Sequence, residues 1–137
     1  MLFFEKMEPA KAKALNSLVL AFVGDAVHTL YVREKLVHVS DAKAGVLHKE
    51  VTAYVKASAQ AKLAEQWQDR FTEEESEIFY RGRNSKNQTK AKNASVEDYR
   101  KATGLEAVIG YLYLTDREAR WKEILQSQER TDGICRQ

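Results

Sequence analysis

The sequence predicts an all-α helical bundle. Six glycines and one proline among 137 residues are few for a β-rich fold, which needs turn residues between its strands. Apolar residues recur mostly at three- and four-residue steps, and no alternation with period two is long enough to require a strand. The length suits one domain, and 44% hydrophobic residues are enough for a packed core. We therefore expect a single domain over residues 1–137, with a loose C-terminal tail from about residue 128.

The most clearly predicted helix covers roughly residues 16–36. Its apolar residues form a wide stripe, which is typical of a central helix buried on several sides. The stripe consists of Leu15, Leu18, Val19, Phe22, Val23, Ala26, Val27, Leu30 and Tyr31.

Two more helices are predicted before residue 70. Ser40 or Asp41 can cap the first of them, which carries Val46 and Leu47. The second runs from about residue 51 to residue 67, where apolar residues follow one another at four-residue steps.

A capping box formed by Thr72 and Glu75 begins the next predicted helix, which ends near Gly82. Glu73, Glu74 and Glu75 lie in its first turn, where the helix macrodipole favours negative charge. This acidic run therefore has a structural explanation, and we do not interpret it as a metal site.

Two helices are predicted in the last third of the chain. Ser95 and Asp98 form a weaker cap for a helix that continues to about Leu114. Thr115 and Glu118 form a second capping box, which would begin the last helix.

Two carboxylates lie inside apolar helical segments: Asp25 in residues 21–27 and Glu106 in residues 103–110. A carboxylate in such a setting needs a cation, hydrogen-bond donors or a metal. Each segment also contains glycine, which is unfavourable in a helix and indicates close helix approach. Either acid alone is best explained as a member of an ion pair with a nearby Lys or Arg, or as a side chain that faces solvent. Together, on two helices that can pack side by side, they indicate a site for Mg²⁺, which prefers oxygen ligands.

Basic residues are concentrated between positions 81 and 101, with seven Lys and Arg against two acidic residues. They are Arg81, Arg83, Lys86, Lys90, Lys92, Arg100 and Lys101, and Asn84 is among the polar residues between them. Charge alone fits a solvated loop equally well. Because this segment directly precedes the Glu106 helix, we expect it near the carboxylates, where it would bind a phosphodiester substrate.

Several other classes of site and compartment are disfavoured. His28, His38 and His48 have no metal-ligand spacing, and His28 is expected at a surface or an interface. Cys135 is the single cysteine, which fits a reducing cytoplasm. No signal peptide is evident, and the longest apolar run, residues 18–24, is too short to cross a membrane. We expect a cytoplasmic protein with no membrane partner.

Two segments resemble the ribonuclease III family. Residues 20–27, Leu-Ala-Phe-Val-Gly-Asp-Ala-Val, resemble the signature helix, whose core is Leu-Glu-Phe-Leu-Gly-Asp-Ala-Val. Residues 105–114 resemble the second metal-binding helix. Segments 31–33, 81–84 and 99–107 fit a short subfamily in which the catalytic domain lacks the double-stranded-RNA-binding domain.

This resemblance implies a homodimeric, Mg²⁺-dependent endoribonuclease whose signature helices pack across a two-fold axis. Asp25 and Glu106 would be the catalytic metal ligands, and the basic segment would bind double-stranded RNA in a valley. Products would carry 5′-phosphate and 3′-hydroxyl ends. The subfamily matures the ends of the precursor of large-subunit (23S) ribosomal RNA, in some cases with a large-subunit ribosomal protein. Ala21 and Thr103 stand where the family has Glu and Asp, which leaves the number of metals open.

Two alternatives compete with this interpretation. A non-catalytic RNA-binding or ribosome-associated protein could have kept the ribonuclease III fold, although it would be expected to lose the carboxylates. A helical protein-interaction adaptor would explain the capped helices but not a basic segment beside buried acids.

Overall fold

The computed structural model describes residues 2–85 and 95–129, and all of the regular structure in these ranges is helical. The helices are α1 (Pro9–Lys13), α2 (Ser17–Val39), α3 (Ala44–Val55), α4 (Ala57–Trp67), α5 (Glu73–Arg83), α6 (Val96–Leu114) and α7 (Glu118–Gln126). The predicted all-α class is confirmed. None of the described helices is long and apolar enough to cross a membrane.

Helix α6 occupies the centre of the fold. It packs against α2, α4, α5 and α7, and nearly every residue from Ala102 to Leu112 is buried. The sequence pattern assigned this central place to α2. The assignment is wrong for the single chain, because one face of α2 remains exposed, including 78% of Phe22 and 52% of Leu30.

Two glycines allow α2 and α6 to cross with their backbones in contact. A Cβ atom on Gly24 would lie 1.8 Å from the carbonyl oxygen of Glu106, and one on Gly110 would lie 1.9 Å from that of Leu20. No side chain fits at such distances. The close helix approach predicted from these glycines is therefore confirmed, and it brings Asp25 alongside Glu106.

The predicted helix starts are partly correct. The capping box of Thr72 and Glu75 forms, and the Ser95 hydroxyl accepts a hydrogen bond from the Asp98 amide at 3.0 Å. The box predicted for Thr115 and Glu118 is wrong. The Thr115 hydroxyl instead donates to the carbonyl of Tyr111 in the preceding helix, and α7 begins only after Arg117.

The segment from residue 40 to residue 67 differs from the prediction in two ways. Neither Ser40 nor Asp41 caps α3, which begins after Lys43, and the Ser40 hydroxyl accepts from the nearby Ala42 amide instead. The helix predicted from residue 51 to residue 67 is broken at Lys56, whose backbone is extended. Apolar residues keep their four-residue spacing across this break and no glycine or proline marks it, so periodicity could not reveal it.

The C-terminal end of the described chain packs against the bundle. The Trp67 indole donates to the Ser127 hydroxyl at 2.8 Å, and Gln128 is buried. The rest of the predicted loose tail, residues 130–137, lies outside the described residues, so the tail remains a prediction.

Candidate active site

Asp25 and Glu106 lie side by side at the α2–α6 crossing. Burial and, as the second cause, the negative charge of Asp25 together raise the pKa of Glu106 to about 8. Asp25 itself is exposed and Glu106 is only partly buried, so the expectation that both carboxylates are buried is wrong for Asp25 and partly correct for Glu106. No ion pair joins either acid to a Lys or Arg in the described ranges.

Gln60 of α4 donates a hydrogen bond to Glu106. Its side-chain amide lies 3.1 Å from Oε2 of Glu106 and 2.8 Å from the carbonyl oxygen of Val55. The side chain is buried. Nothing in the sequence predicts this contact, because a single glutamine within the α4 pattern carries no signal of what it faces.

His28 lies one turn after Asp25 but points into the protein, where it is 1% exposed. Gln128 donates its amide to the carbonyl of Tyr54, so its oxygen faces the His28 Nε2 at 2.8 Å and accepts from it. Burial lowers the pKa of His28 and favours the neutral ring. The surface position predicted for His28 is therefore wrong. The ring lies in the interior, beneath the two carboxylates.

An open groove runs beside Asp25 along the exposed face of α2. It has a volume of about 780 Å³ and is lined mainly by apolar side chains, among them Phe22, Leu30 and Trp121. Lys122 lies at the same groove. Asp25 is thus reachable from solvent at a mainly apolar surface.

The basic residues of positions 81–101 do not behave as one group. Arg81 donates to the Ser17 hydroxyl and to the carbonyls of Lys13 and Leu15, so it joins the α1–α2 turn to α5. Each of its three nitrogens donates one hydrogen bond within the protein.

The other described members of this segment are either paired or exposed. Arg83 pairs with Glu97 at 3.0 Å, and Lys101 pairs with Glu65. Asn84 and Arg100 are exposed. Lys86, Lys90 and Lys92 lie outside the described residues, so their predicted role stays a prediction.

The acidic start of α5 is held by basic side chains. Arg117 contacts Glu74 at 2.6 Å and lowers its pKa to about 2, with the Tyr111 hydroxyl as a second donor. Arg120 contacts both carboxylate oxygens of Glu75. The structural explanation of this run is confirmed.

The Ribonuclease III domain model matches residues 18–117. The chain belongs to the ribonuclease III family. Curated relatives named Mini-ribonuclease 3 share this sequence: the one from Clostridium tetani is 44% identical and covers 89% of this chain and 82% of its own length. The one from Staphylococcus aureus is 48% identical, covering 82% and 86%. These matches confirm the predicted resemblance to the short subfamily, and the chain is an endoribonuclease.

A solved structure shows the same fold. The crystal structure of a Fusobacterium nucleatum protein superposes with a TM-score of 0.76 at 32% identity, covering 83% of this chain and 91% of its own. The helical ribonuclease III fold expected from the sequence is thereby confirmed.

Two positions depart from the ribonuclease III pattern, and both are closed to a ligand. Ala21 is buried and has no polar atom in its side chain. Thr103 is also buried, and its hydroxyl donates to the carbonyl of Tyr99 at 3.0 Å. Within the described part of the chain, no group of three or more His, Cys, Asp and Glu side chains could hold a metal. Asp25 and Glu106 are therefore the carboxylates that remain at this site.

The paired carboxylates fit a hard divalent cation. Glu106 is buried next to a second acid without a basic partner, a situation that a cation relieves. Mg²⁺ keeps several of its waters and binds through one or two carboxylates. Asp25 and Glu106 would hold it, and the exposure of Asp25 leaves room for waters and substrate.

Proposed function

We propose that this chain is a Mg²⁺-dependent endoribonuclease that cleaves double-stranded RNA, with Asp25 and Glu106 as its catalytic metal ligands. The observation that carries this proposal is the proximity of the two carboxylates at the Gly24–Gly110 crossing. Mg²⁺, when bound there, supplies a Lewis acid and lowers the pKa of a bound water. Hydrolysis of the phosphodiester would leave a 5′-phosphate and a 3′-hydroxyl.

The chain's own residues divide the remaining work between them. Duplex RNA is recognised largely through its phosphates and 2′-hydroxyls, which suits the exposed Asn84 and Arg100 together with Lys86, Lys90 and Lys92. Arg83 and Lys101 already have acidic partners, so they would contact RNA by exchanging those partners. Arg81 acts indirectly, because it fixes the α1–α2 turn.

We also propose a homodimer formed through α2. This helix exposes large apolar side chains along the groove beside Asp25, and a contiguous apolar surface on a folded chain is typical of an interaction site. A two-fold contact between α2 helices would cover this surface and bring two carboxylate pairs into one assembly.

The biological substrate follows from the family relationship. We propose that the enzyme works in the cytoplasm and matures the ends of the 23S ribosomal RNA precursor, where a large-subunit ribosomal protein could present the substrate. The curated relatives named Mini-ribonuclease 3 support the endoribonuclease activity on which this proposal builds.

The decisive test is the Asp25→Asn variant, compared with the wild type on duplex RNA in Mg²⁺. We expect normal circular dichroism, duplex binding close to that of the wild type, and loss of cleavage by roughly 10³-fold or more, because one of only two ligands is neutralised. Asp69→Asn, the same chemical change at an exposed position after α4, serves as the control for loss of a negative charge. Normal cleavage by Asp25→Asn would refute the site. If the wild type binds duplex RNA but does not cleave it with any divalent cation, the non-catalytic alternative would be supported.

A further inference from the structure

The break between α3 and α4 leaves a backbone carbonyl free of the helical hydrogen-bond pattern. Helix α3 ends at Val55, and Lys56 is extended before α4 begins at Ala57. The last carbonyls of a helix need partners outside it. The Val55 carbonyl receives one from the side chain of Gln60, at 2.8 Å.

This contact fixes how the Gln60 amide is oriented. A backbone carbonyl can only accept a hydrogen bond, so the nitrogen of the amide, and not its oxygen, must face Val55. The second N–H of the same nitrogen then faces Oε2 of Glu106 at 3.1 Å. One buried NH₂ group therefore connects the helix break to Glu106.

The connection matters because the site has few carboxylates. With Ala21 and Thr103 unable to act as ligands, Asp25 is the one acid of the described residues left to share a cation with Glu106, so fewer ligands hold the Glu106 side chain in place. Groups that hydrogen-bond to a metal ligand set its orientation, and their loss typically weakens metal binding 10- to 100-fold.

We propose that Gln60 is a positioning residue, which holds the Glu106 carboxylate in the orientation that binds the divalent cation, and that the helix break at Lys56 orients Gln60 for this task. The proposal rests on the proposed function, since it assumes a cation at Asp25 and Glu106. Gln60 does not touch the reacting atoms. Its effect is expected in cation affinity, with duplex binding unchanged.

The test measures binding of Mn²⁺ by electron paramagnetic resonance, because Mn²⁺ prefers the same oxygen ligands as Mg²⁺. Gln60→Met has a similar shape but no donor, and should raise the Kd for Mn²⁺ by 10- to 100-fold. Gln60→Asn keeps a buried amide but withdraws it by one carbon, and should weaken binding in the same direction. Gln66→Met is the matched control on the exposed side of α4 and should leave the Kd unchanged.

Further measurements separate positioning from simple support of the fold. Thermal unfolding shows whether each variant is folded, and duplex binding in EDTA, which removes the cation, should be equal in all folded variants. A folded Gln60→Met or Gln60→Asn protein with the Kd of Gln66→Met would overturn the proposal. The Asp25→Asn variant reports on the proposed site itself: if it binds Mn²⁺ as the wild type does, the cation site is wrong, and the role of Gln60 is rejected with it.

Discussion

Two regions of this molecule bury carboxylates against α6, and they treat them in opposite ways. At the start of α5, Arg117 and Arg120 contact Glu74 and Glu75, and the pKa of Glu74 falls to about 2. At the α2–α6 crossing, Glu106 lies beside another acid, and its pKa rises to about 8. The first arrangement stabilises the charged form of the carboxylate, whereas the second destabilises that form unless a cation is bound.

The difference separates structural from functional acids more clearly than burial does. Glu75 is 2% exposed and more deeply buried than Glu106, yet its neighbours satisfy its charge. An acid whose own fold supplies no positive partner is the better candidate for a metal ligand. Variants that disturb one region or the other can test this distinction.

The largest effect is expected from Gly110→Ala, which attacks the crossing that brings the two site acids together. Its Cβ would meet the Leu20 carbonyl oxygen at 1.9 Å, and a backbone atom cannot move aside as a side chain can. We expect a loss of roughly 3 kcal/mol or more in the free energy of unfolding, measured by urea denaturation, or failure to fold.

Gly45→Ala is the matched control, because a Cβ atom there would meet nothing within 4 Å. Gly45 lies in the first turn of helix α3, so that substitution should stabilise by less than the roughly 1 kcal/mol expected in a helix interior. Equal stability of the two variants would show that α2 and α6 do not approach as closely as described.

The next effect concerns the paired acids. Arg120→Met removes a bidentate partner of the buried Glu75, and breaking such a pair from one side costs about 3 kcal/mol. We expect this loss in urea denaturation. Adding Glu75→Gln should recover much of it, since the charge disappears while glutamine still serves in the capping box. A cost for Arg120→Met below about 1 kcal/mol would contradict the view that Glu75 depends on this partner.

Sequence-based predictions succeeded where a residue type in its local setting has a single common structural role. Gly24 and Gly110 predicted the helix crossing, and Asp25 and Glu106 were found as acids within apolar segments. Thr72 and Glu75 predicted a helix start because the capping box has a fixed spacing. In each case the chemistry and the spacing are contained within a few neighbouring residues.

What the sequence could not give depends on contacts between distant residues. The amides of Gln60 and Gln128 reach Glu106 and His28 across 46 and 100 positions, and nothing local marks them. Apolar residues of α2 looked like core because periodicity cannot tell a face that packs within the chain from one that stays exposed. Arg81 looked like a contact for RNA, but its partners are backbone carbonyls brought near by folding.

The smallest predicted effect also compares the two regions most directly, because the stability of the metal-free protein is measured while both acids titrate. Glu74 has a lowered pKa, so its stabilising contribution is complete above about pH 4.5 and is lost as the pH falls towards 2. Glu106 has a raised pKa. The folded state keeps its proton above pH 4.5 while the unfolded state releases it, so stability falls as the pH rises and levels off above about 8.

The cleanest interval for this measurement runs from pH 6.5 to 8. Below pH 6.5 the buried His28, whose pKa is lowered, has the opposite effect on stability. The unfolded chain binds a proton at His28 there while the folded chain does not, so this contribution to stability rises with pH. Above pH 6.5, Glu106 alone of these groups titrates. In EDTA we expect the free energy of unfolding to fall by between about 1 and 2 kcal/mol across this interval, because the slope of 1.36 kcal/mol per pH unit declines to about half as Glu106 ionises near pH 8. Glu106→Gln should abolish the decline, and Glu74→Gln should leave it intact. An unchanged decline in Glu106→Gln would mean that Glu106 is already ionised in the metal-free fold, and the contrast between the two regions would then be lost.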